Sequence, residues 1–131
     1  MAGETNLQTL IRHMQAALNE GEYVFVSVAE AGDIDRSRVI CEFREQEGTT
    51  LIMERGLADE LKLTYDFVAA WITLKVHSSL EAVGLTAAFS NALAQNHISC
   101  NVVAGYYHDH IFVDSQDRHR TIEILQQLSG K

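Results

Sequence analysis

The hydrophobic and polar positions of the first 28 residues predict a helix followed by a strand. Apolar side chains recur at helical spacing across residues 7–18, and Gly21 suits the end of such a helix. Thr5 and Gln8 have the spacing of a capping box at its start. Residues 23–28 are dense in β-branched and aromatic side chains, which predicts a buried strand.

The next forty residues predict a loop, a hairpin and a short helix. Residues 29–37 contain Gly32, Asp33 and Asp35, which indicates a loop. Residues 39–44 and 49–54 read as two strands, and the polar turn at residues 45–48 predicts that they form a hairpin. Residues 56–61 are expected to form a short helix.

From residue 71 the apolar and polar positions alternate, which predicts a half-buried strand. Its apolar face carries Ile72, Leu74 and Val76, and its polar face carries Thr73, Lys75 and His77. Residues 85–93 then repeat apolar side chains along one stripe of a helix.

Two further strands and a last helix are predicted after that helix. Residues 100–104 and 111–113 are expected to be strands around a tight turn at Gly105. Asp114 or Ser115 can cap the final helix, and Gly130 ends it. Its inward-facing side chains are predicted to be Ile122, Leu125 and Leu128.

This order of elements predicts an α+β protein with two ferredoxin-like βαββαβ halves. Each half would form an antiparallel sheet with helices on one face, the first over residues 1–65 and the second over residues 66–131. The second half lacks only a closing strand. By the same plan the first half lacks its opening strand and carries an extra one. We therefore expect either that the halves complete each other in one sheet or that a second chain completes them.

The composition of the chain limits the expected classes of partner and the expected cellular compartment. The formal charge is −8, with ten basic residues in 131 and no basic patch, which argues against nucleic acid as a partner. No apolar run has the length of a membrane span, and no signal peptide is evident, so neither membrane insertion nor export is expected. Cys41 and Cys100 are too few for a disulfide framework, and we expect a cytoplasmic location.

Three segments of the chain resemble the ACT-domain regulators, in particular small stand-alone proteins with two tandem ACT-like halves. They are CEFREQEGTTLIM (residues 41–53), VHSSLEAVGLTA (residues 76–87) and NVVAGYYHDHIFV (residues 101–113). The paired modules of cytosolic arginine sensors and of aspartate kinase regulatory regions are similar. The resemblance implies a module that binds an amino acid or a related small ligand at a module interface, and it implies a homodimer.

The turn from the strand at residues 71–76 to the following helix is the first candidate ligand site. Amides at the start of a helix lack internal partners and favour a carboxylate. The resemblance implies a ligand-holding role for the matching positions His77, Ser78, Ser79, Val83, Gly84 and Leu85. Alternatively, Ser78 or Ser79 only caps the helix.

His108, Asp109 and His110 are the second candidate. On a strand, the two imidazoles would share a face and could hold a metal, while Asp109 would point the other way, which limits the triplet to two ligands. Alternatively these residues line the ligand cleft or form a plain turn. Asn101 and Val102, at the start of their strand, are further candidate ligand contacts, and Trp71 is interpreted as a core or dimer-interface residue.

The sequence thus predicts a non-catalytic regulatory or sensing protein that binds a small ligand, with an amino acid as the leading class. It carries none of the short motifs of hydrolases, phosphate loops or metalloproteases, so neither enzyme activity, a cofactor nor a metal is expected. Two alternatives remain open. One is a small metal-dependent enzyme that uses the turn at residues 108–110, and the other is a protein-interaction module without a ligand.

Overall fold

The residues of the chain form two compact units that are not continuous along the sequence. The structure, a computed structural model, describes residues 6–76 and 83–130. Unit 1 combines Met1–Glu20 with Ala70–Lys131, and unit 2 is Gly21–Ala69. The division into two halves at residues 65/66 stays a prediction. The contacts within the chain group the first twenty residues with the C-terminal residues.

The N-terminal helix is shorter than predicted. Helix α1 spans Leu7–His13, and strand β1 follows at Gln15–Leu18. The prediction of a helix through residue 18 is therefore wrong, because pairing with a distant strand overrides a weak local helix preference. The cap also differs: Asn6 accepts a hydrogen bond from the Thr9 amide at 3.0 Å, and Thr5 of the predicted capping box lies outside the described residues.

Strand β1 supplies the closing strand that the second half of the sequence lacks. The other elements of unit 1 are β5 (Val68–Lys75, from Ala70 onward), α3 (Leu85–Gln95), β6 (Asn101–Ala104), β7 (Asp109–Asp114) and α4 (Arg118–Ser129). The strand order in this unit is β1-β5-β7-β6. Strand β1 runs antiparallel to β5, with Gln15 opposite Lys75 and Leu18 opposite Ile72. The predicted ferredoxin-like plan is confirmed here.

The core of unit 1 lies on one face of its sheet. The predicted inward residues Ile72, Leu74 and Val76 are buried there, as are Ile111 and Val113 of β7. The helices α1, α3 and α4 contribute Leu10, Phe89 and Leu125 to the same cluster. Because side chains alternate along a strand, Trp71, Thr73, His110 and Phe112 must lie on the other face of the sheet, away from these helices.

Both ends of α3 have a left-handed backbone. Gly84 precedes the helix with φ +101°, where a Cβ would lie 3.0 Å from Leu7 Cδ2. At the other end His97 has φ +61°, and the amide of Ile98 donates to the carbonyl of Leu93 at 3.0 Å. Glycine is the usual residue at such a helix end, so a histidine there carries a conformational cost.

Unit 2 follows the same plan but lacks its first helix. Its elements are β2 (Tyr23–Val28), β3 (Val39–Arg44), β4 (Thr49–Glu54) and α2 (Arg55–Glu60), in the strand order β3-β4-β2. Val68 and Ala69, the first residues of β5, pair with β2 and close the unit. The expectation that the opening strand was missing is wrong: β2 is that strand, and a loop with a 3₁₀ turn at Arg36–Arg38 stands where the helix would be.

Arginine side chains tie α2 to the neighbouring segments of unit 2. Arg38 contacts Glu54 at 3.1 Å and Glu60 at 2.9 Å. Arg55 contacts Glu22 at 3.0 Å and donates to the Tyr65 hydroxyl at 2.9 Å. These groups are exposed to solvent, so each pair adds little to the stability of the fold. Their charges are mutually satisfied, which leaves them a structural role.

Candidate functional site

The turn between β5 and α3 is described only at its helical end. His77, Ser78 and Ser79 lie outside the described residues. Val83 is 84% exposed, whereas the side chain of Leu85 is 3% exposed and belongs to the core of unit 1. Leu85 can therefore contribute a backbone amide to a ligand, but its side chain is committed to packing.

The start of α3 has backbone amides that lack a partner within the helix. Gly84 is the N-cap and has no side chain to cap the helix, and the first helical hydrogen bond runs from the Ala88 amide to the Gly84 carbonyl at 2.9 Å. The amides before Ala88 therefore lack a partner within the helix, and the helix dipole favours an anion beside them. Gly84 occupies the N-cap position, and Ser78 and Ser79 lie outside the described residues, so the alternative in which one of them caps this helix stays a prediction.

His110 is the centre of a hydrogen-bonded set on the face of unit 1 that lies away from the helices. The Trp71 indole Nε1 donates to His110 Nδ1 at 3.1 Å, and Thr73 Oγ1 lies 3.2 Å from the same nitrogen. Asn19 Nδ2 donates to Thr73 Oγ1 at 3.0 Å and to the Trp71 carbonyl at 3.2 Å. Phe112 stacks on Trp71, with 6.3 Å between the ring centroids.

This geometry determines the protonation state of His110. An indole nitrogen can only donate, so Nδ1 must be the acceptor and neutral His110 must carry its proton on Nε2. Burial, and to a lesser degree the neighbouring His108, lower the pKa of His110 below its ordinary value of 6.5, although Asp109 acts in the opposite direction. The imidazole is therefore held neutral at physiological pH.

His108 and Asp109 do not join His110 in a common ligand set. Strand β7 begins at Asp109, and His108 lies in the preceding turn, where its carbonyl accepts from the Gly105 amide at 2.9 Å. Asp109 pairs with Ala104 and so points to the opposite face from His110, as predicted. Burial raises the pKa of the Asp109 carboxyl. His108 Nδ1 is buried without a hydrogen-bond partner among the described residues.

The described part of the chain contains no group of three or more histidine, cysteine, aspartate or glutamate side chains that could hold a metal. His110 has only Nε2 left for a ligand, since Nδ1 accepts from Trp71. Gly105 is tight against that ring, because a Cβ at residue 105 would lie 3.2 Å from His110 Nε2. The histidine pair that the sequence suggested as metal ligands thus does not present two free nitrogens on one face.

The remaining candidate residues lie on the edge strand β6. Asn101 is exposed, and its amide donates to the Phe112 carbonyl at 3.3 Å, while Val102 is 36% exposed. Cys100, just before this strand, has a thiol whose pKa is raised by burial to about 11, which makes it a poor nucleophile at neutral pH. No nucleophile is activated here.

Asn19 and Thr73 are part of the His110 set, and sequence reasoning did not single them out. Thr73 was placed on the polar face of its strand, and its exposure of 7% shows that this face is covered at that point. A helix predicted through residue 18 does not bring Asn19 next to β5. A β-strand assignment for residues 15–18 would have placed Asn19 beside β5 and was the signal available.

None of the helices in the described ranges has the length and apolar character needed to span a membrane.

The chain matches two family models, both described as an ACT domain, the first over residues 2–70 and the second over residues 67–127. No curated protein matches it significantly.

Solved structures similar to this chain include three that match over most of their length. A Vibrio cholerae protein of unknown function, described as a possible transport protein, is 44% identical, with 94% of this chain and 95% of that chain covered and a TM-score of 0.85. An Agrobacterium tumefaciens protein is 17% identical, with coverage of 88% and 89% and a TM-score of 0.67. The ligand-free regulatory subunit of aspartate kinase from Thermus thermophilus is 8% identical, with coverage of 86% and 95% and a TM-score of 0.60. The last two show a common fold only.

Proposed function

The chain belongs to the ACT-domain family, and we propose that it is a non-catalytic regulatory protein that binds a small ligand, with an amino acid as the leading class. The observation that carries this proposal is the pair of ACT-domain matches, which together extend over residues 2–127. ACT domains are regulatory modules, so a regulatory, ligand-binding role is the role that family membership supports.

We place the ligand in the turn at residues 77–85, with its carboxylate at the start of α3. The support is the absence of a capping side chain at Gly84 and the resulting set of amides without helical partners. Ser78, Ser79 and the amide of Leu85 would contact the ligand. Asn101, Val102 and the residues from His108 to His110 remain secondary candidates for its side-chain contacts.

Catalysis is not part of the proposal. The cysteine beside β6 has a raised thiol pKa, and His110 is engaged with Trp71 and Thr73. The metal-dependent alternative would need a ligand set that the described residues do not provide. These observations favour a binding protein over an enzyme that uses residues 108–110.

The test is a thermal-shift screen of the amino acids, followed by isothermal titration calorimetry of each hit. A ligand at tenfold its Kd stabilises the folded state by about 1.4 kcal/mol, which for a chain of this size raises Tm by roughly 4 °C. One or a few amino acids should produce such a rise. Flat curves for all of them at millimolar concentration would contradict the amino-acid proposal.

The position of the site is tested with a double variant, Ser78→Ala with Ser79→Ala. It should lose most of the Tm rise that the hit produces in the unchanged protein. Ser99→Ala is the matched control, because Ser99 is an exposed serine outside every helix and strand. An equal loss of the Tm rise in the control, or a full Tm rise in the double variant, would show that the ligand does not bind at Ser78 and Ser79.

We further propose a cytoplasmic homodimer. Both cysteines are free thiols, which favours a reducing compartment, and the exposed strand β6 ends the strand order of unit 1. Size-exclusion chromatography with light scattering should give about twice the 14.6 kDa chain mass. A monomer that responds to no ligand but retains a specific partner from native lysate would instead favour the interaction-module alternative.

A further inference from the structure

One hydrogen-bonded set in unit 1 has a chemistry that depends on a single proton. Asn19, Trp71, Thr73 and His110 form this set, which we call the His110 latch. It connects β7, which carries His110, to β5, which carries Trp71 and Thr73. We propose that the latch is proton-sensitive: neutral His110 holds the Trp71 indole, and protonated His110 releases it.

The release follows from the donor and acceptor inventory of the three side chains. Protonation places a hydrogen on His110 Nδ1, which then faces the hydrogen on Trp71 Nε1, and two donors cannot bond to each other. Thr73 can adapt, since its hydroxyl oxygen has two lone pairs and can accept from His110 as well as from Asn19. One specific bond, between Trp71 and His110, is therefore lost on protonation.

A cation–π contact does not replace that bond in the observed arrangement. The two rings are tilted by 50° with centroids 5.8 Å apart, and the indole directs its N–H edge at the imidazole. A cation is attracted to the face of an indole rather than to its N–H edge. The Trp71 ring must move for a favourable contact with imidazolium, which makes its environment change with the charge on His110.

The titrating and charged groups near the latch are few among the described residues. On the hairpin that carries His110 they are His108 and Asp109, which act on its charge in opposite directions. From β6, the residues on the same face are Val103, directly opposite His110, and Asn101, neither of which titrates. From β5, Lys75 is exposed and two residues beyond Thr73, while Gln15 of β1 lies opposite it and is uncharged.

The experiment is a fluorescence titration, because Trp71 is the only tryptophan in the chain. Release of the Trp71 indole changes its surroundings, so its emission should change in one sigmoidal step as pH is lowered from 8 to 5, with a midpoint below 6.5. The sequence pI is about 5.1, so the titration is run at low protein concentration with added salt. Far-UV circular dichroism, recorded in parallel, should stay constant.

Four variants separate the latch from other titrations. His110→Gln should abolish the step, and His119→Gln, at an exposed position of α4, should leave it unchanged. Asp109→Asn should lower the midpoint because a negative neighbour is removed, and His108→Gln should raise it because a positive one is removed. A step that persists in His110→Gln, or midpoints that move in the reverse directions, would overturn the proposal.

A second measurement on the unchanged protein does not depend on any variant folding. Long-range proton–nitrogen NMR spectra of the histidine rings report the tautomer of each neutral imidazole. For His110 at pH 8 they should show the proton on Nε2. A proton on Nδ1, or a His110 ring already charged at pH 7, would refute the latch directly.

Discussion

Replacing His97 by glycine should stabilise the protein, although it removes a side chain. His97 follows α3 with φ +61°, while its amide still donates to the Ala94 carbonyl at 3.0 Å. A left-handed backbone costs an L-residue about 1–2 kcal/mol. Glycine avoids that cost but loses about 0.5–1 kcal/mol more than alanine on folding. The net gain of His97→Gly over His97→Ala is therefore about 0.5–1 kcal/mol.

The pair His97→Gly and His97→Ala isolates the backbone effect, since both variants remove the same exposed imidazole. Urea unfolding followed by Trp71 fluorescence reports on unit 1, which also contains α3. Circular dichroism at 222 nm should give coincident transitions if unfolding is two-state. The glycine variant should have the higher midpoint at an unchanged m value, and a Tm higher by roughly 2–6 °C.

An alanine variant as stable as the glycine variant would refute this reasoning. It would mean that residue 97 does not hold a left-handed backbone in solution, or that the helix end relaxes without cost. Lys62→Gly is an independent repeat in unit 2, because Lys62 has φ +57° at the end of α2. If the glycine variant is more stable at one of these two sites only, the reasoning fails for the helix end where no stability is gained.

Four further outcomes are expected. Gly84→Ala should lower the free energy of unfolding by about 1–2 kcal/mol, more than Gly32→Ala, because a Cβ at residue 84 meets a leucine at 3.0 Å whereas one at residue 32 meets nothing within 4 Å; urea melts of the two variants test this. The lowered pKa of His110 means that the unfolded chain binds the proton more readily, so its contribution to stability is complete above pH 6.5 and is lost as pH falls from 6.5 through the folded-state pKa; His110→Gln should flatten that part of the stability profile. In a Cys41→Ser background, alkylation of Cys100 followed by mass spectrometry should accelerate about tenfold per pH unit between pH 8 and 10, and a plateau below pH 9 would contradict its thiol pKa of about 11. Elemental analysis of protein purified without a histidine tag should find no stoichiometric metal, and one equivalent would revive the metal-dependent alternative.

Local patterns were enough to predict most of the strands and helices. Strands β2, β3 and β4 lie where β-branched residues and the hairpin at residues 45–48 placed them. The last helix ends at Gly130, whose φ of +81° is the left-handed cap that its position predicted. In each case the residues that carry the pattern lie within about a dozen positions of the element that they predict. At that range, local sterics determine the backbone conformation.

The N-terminal strand could not be predicted in this way. Leu10, Met14 and Leu18 have helical spacing, yet Met14 ends α1 and residues 15–18 pair with β5. Alternation over four residues is too short to compete with that pattern. Only the missing closing strand of the second half indicated that some distant segment must pair with it.

The candidate site shows the same limit. The turn at residues 77–85 stays a prediction from its local chemistry and from the resemblance, and the structure describes only its end, where Gly84 begins α3. The partners of His110 were not predicted, because Asn19 and Trp71 come to it from two other segments of the chain. In the sequence His110 is a candidate metal ligand, and only the structure shows that the Trp71 indole donates to its Nδ1.

The pairing of β1 with β5 has a consequence for synthesis on the ribosome. Gln15 emerges first and its partner Lys75 is added sixty residues later, which at about 5–20 residues per second is a wait of roughly 3–12 s. Residues 21–69 are synthesised during that interval, while strand β1, which precedes them, has no β5 partner. A chaperone or a nascent-chain protease would therefore meet the N-terminal twenty residues first, and slower translation between residues 20 and 75 should increase degradation of the chain before its first unit can close.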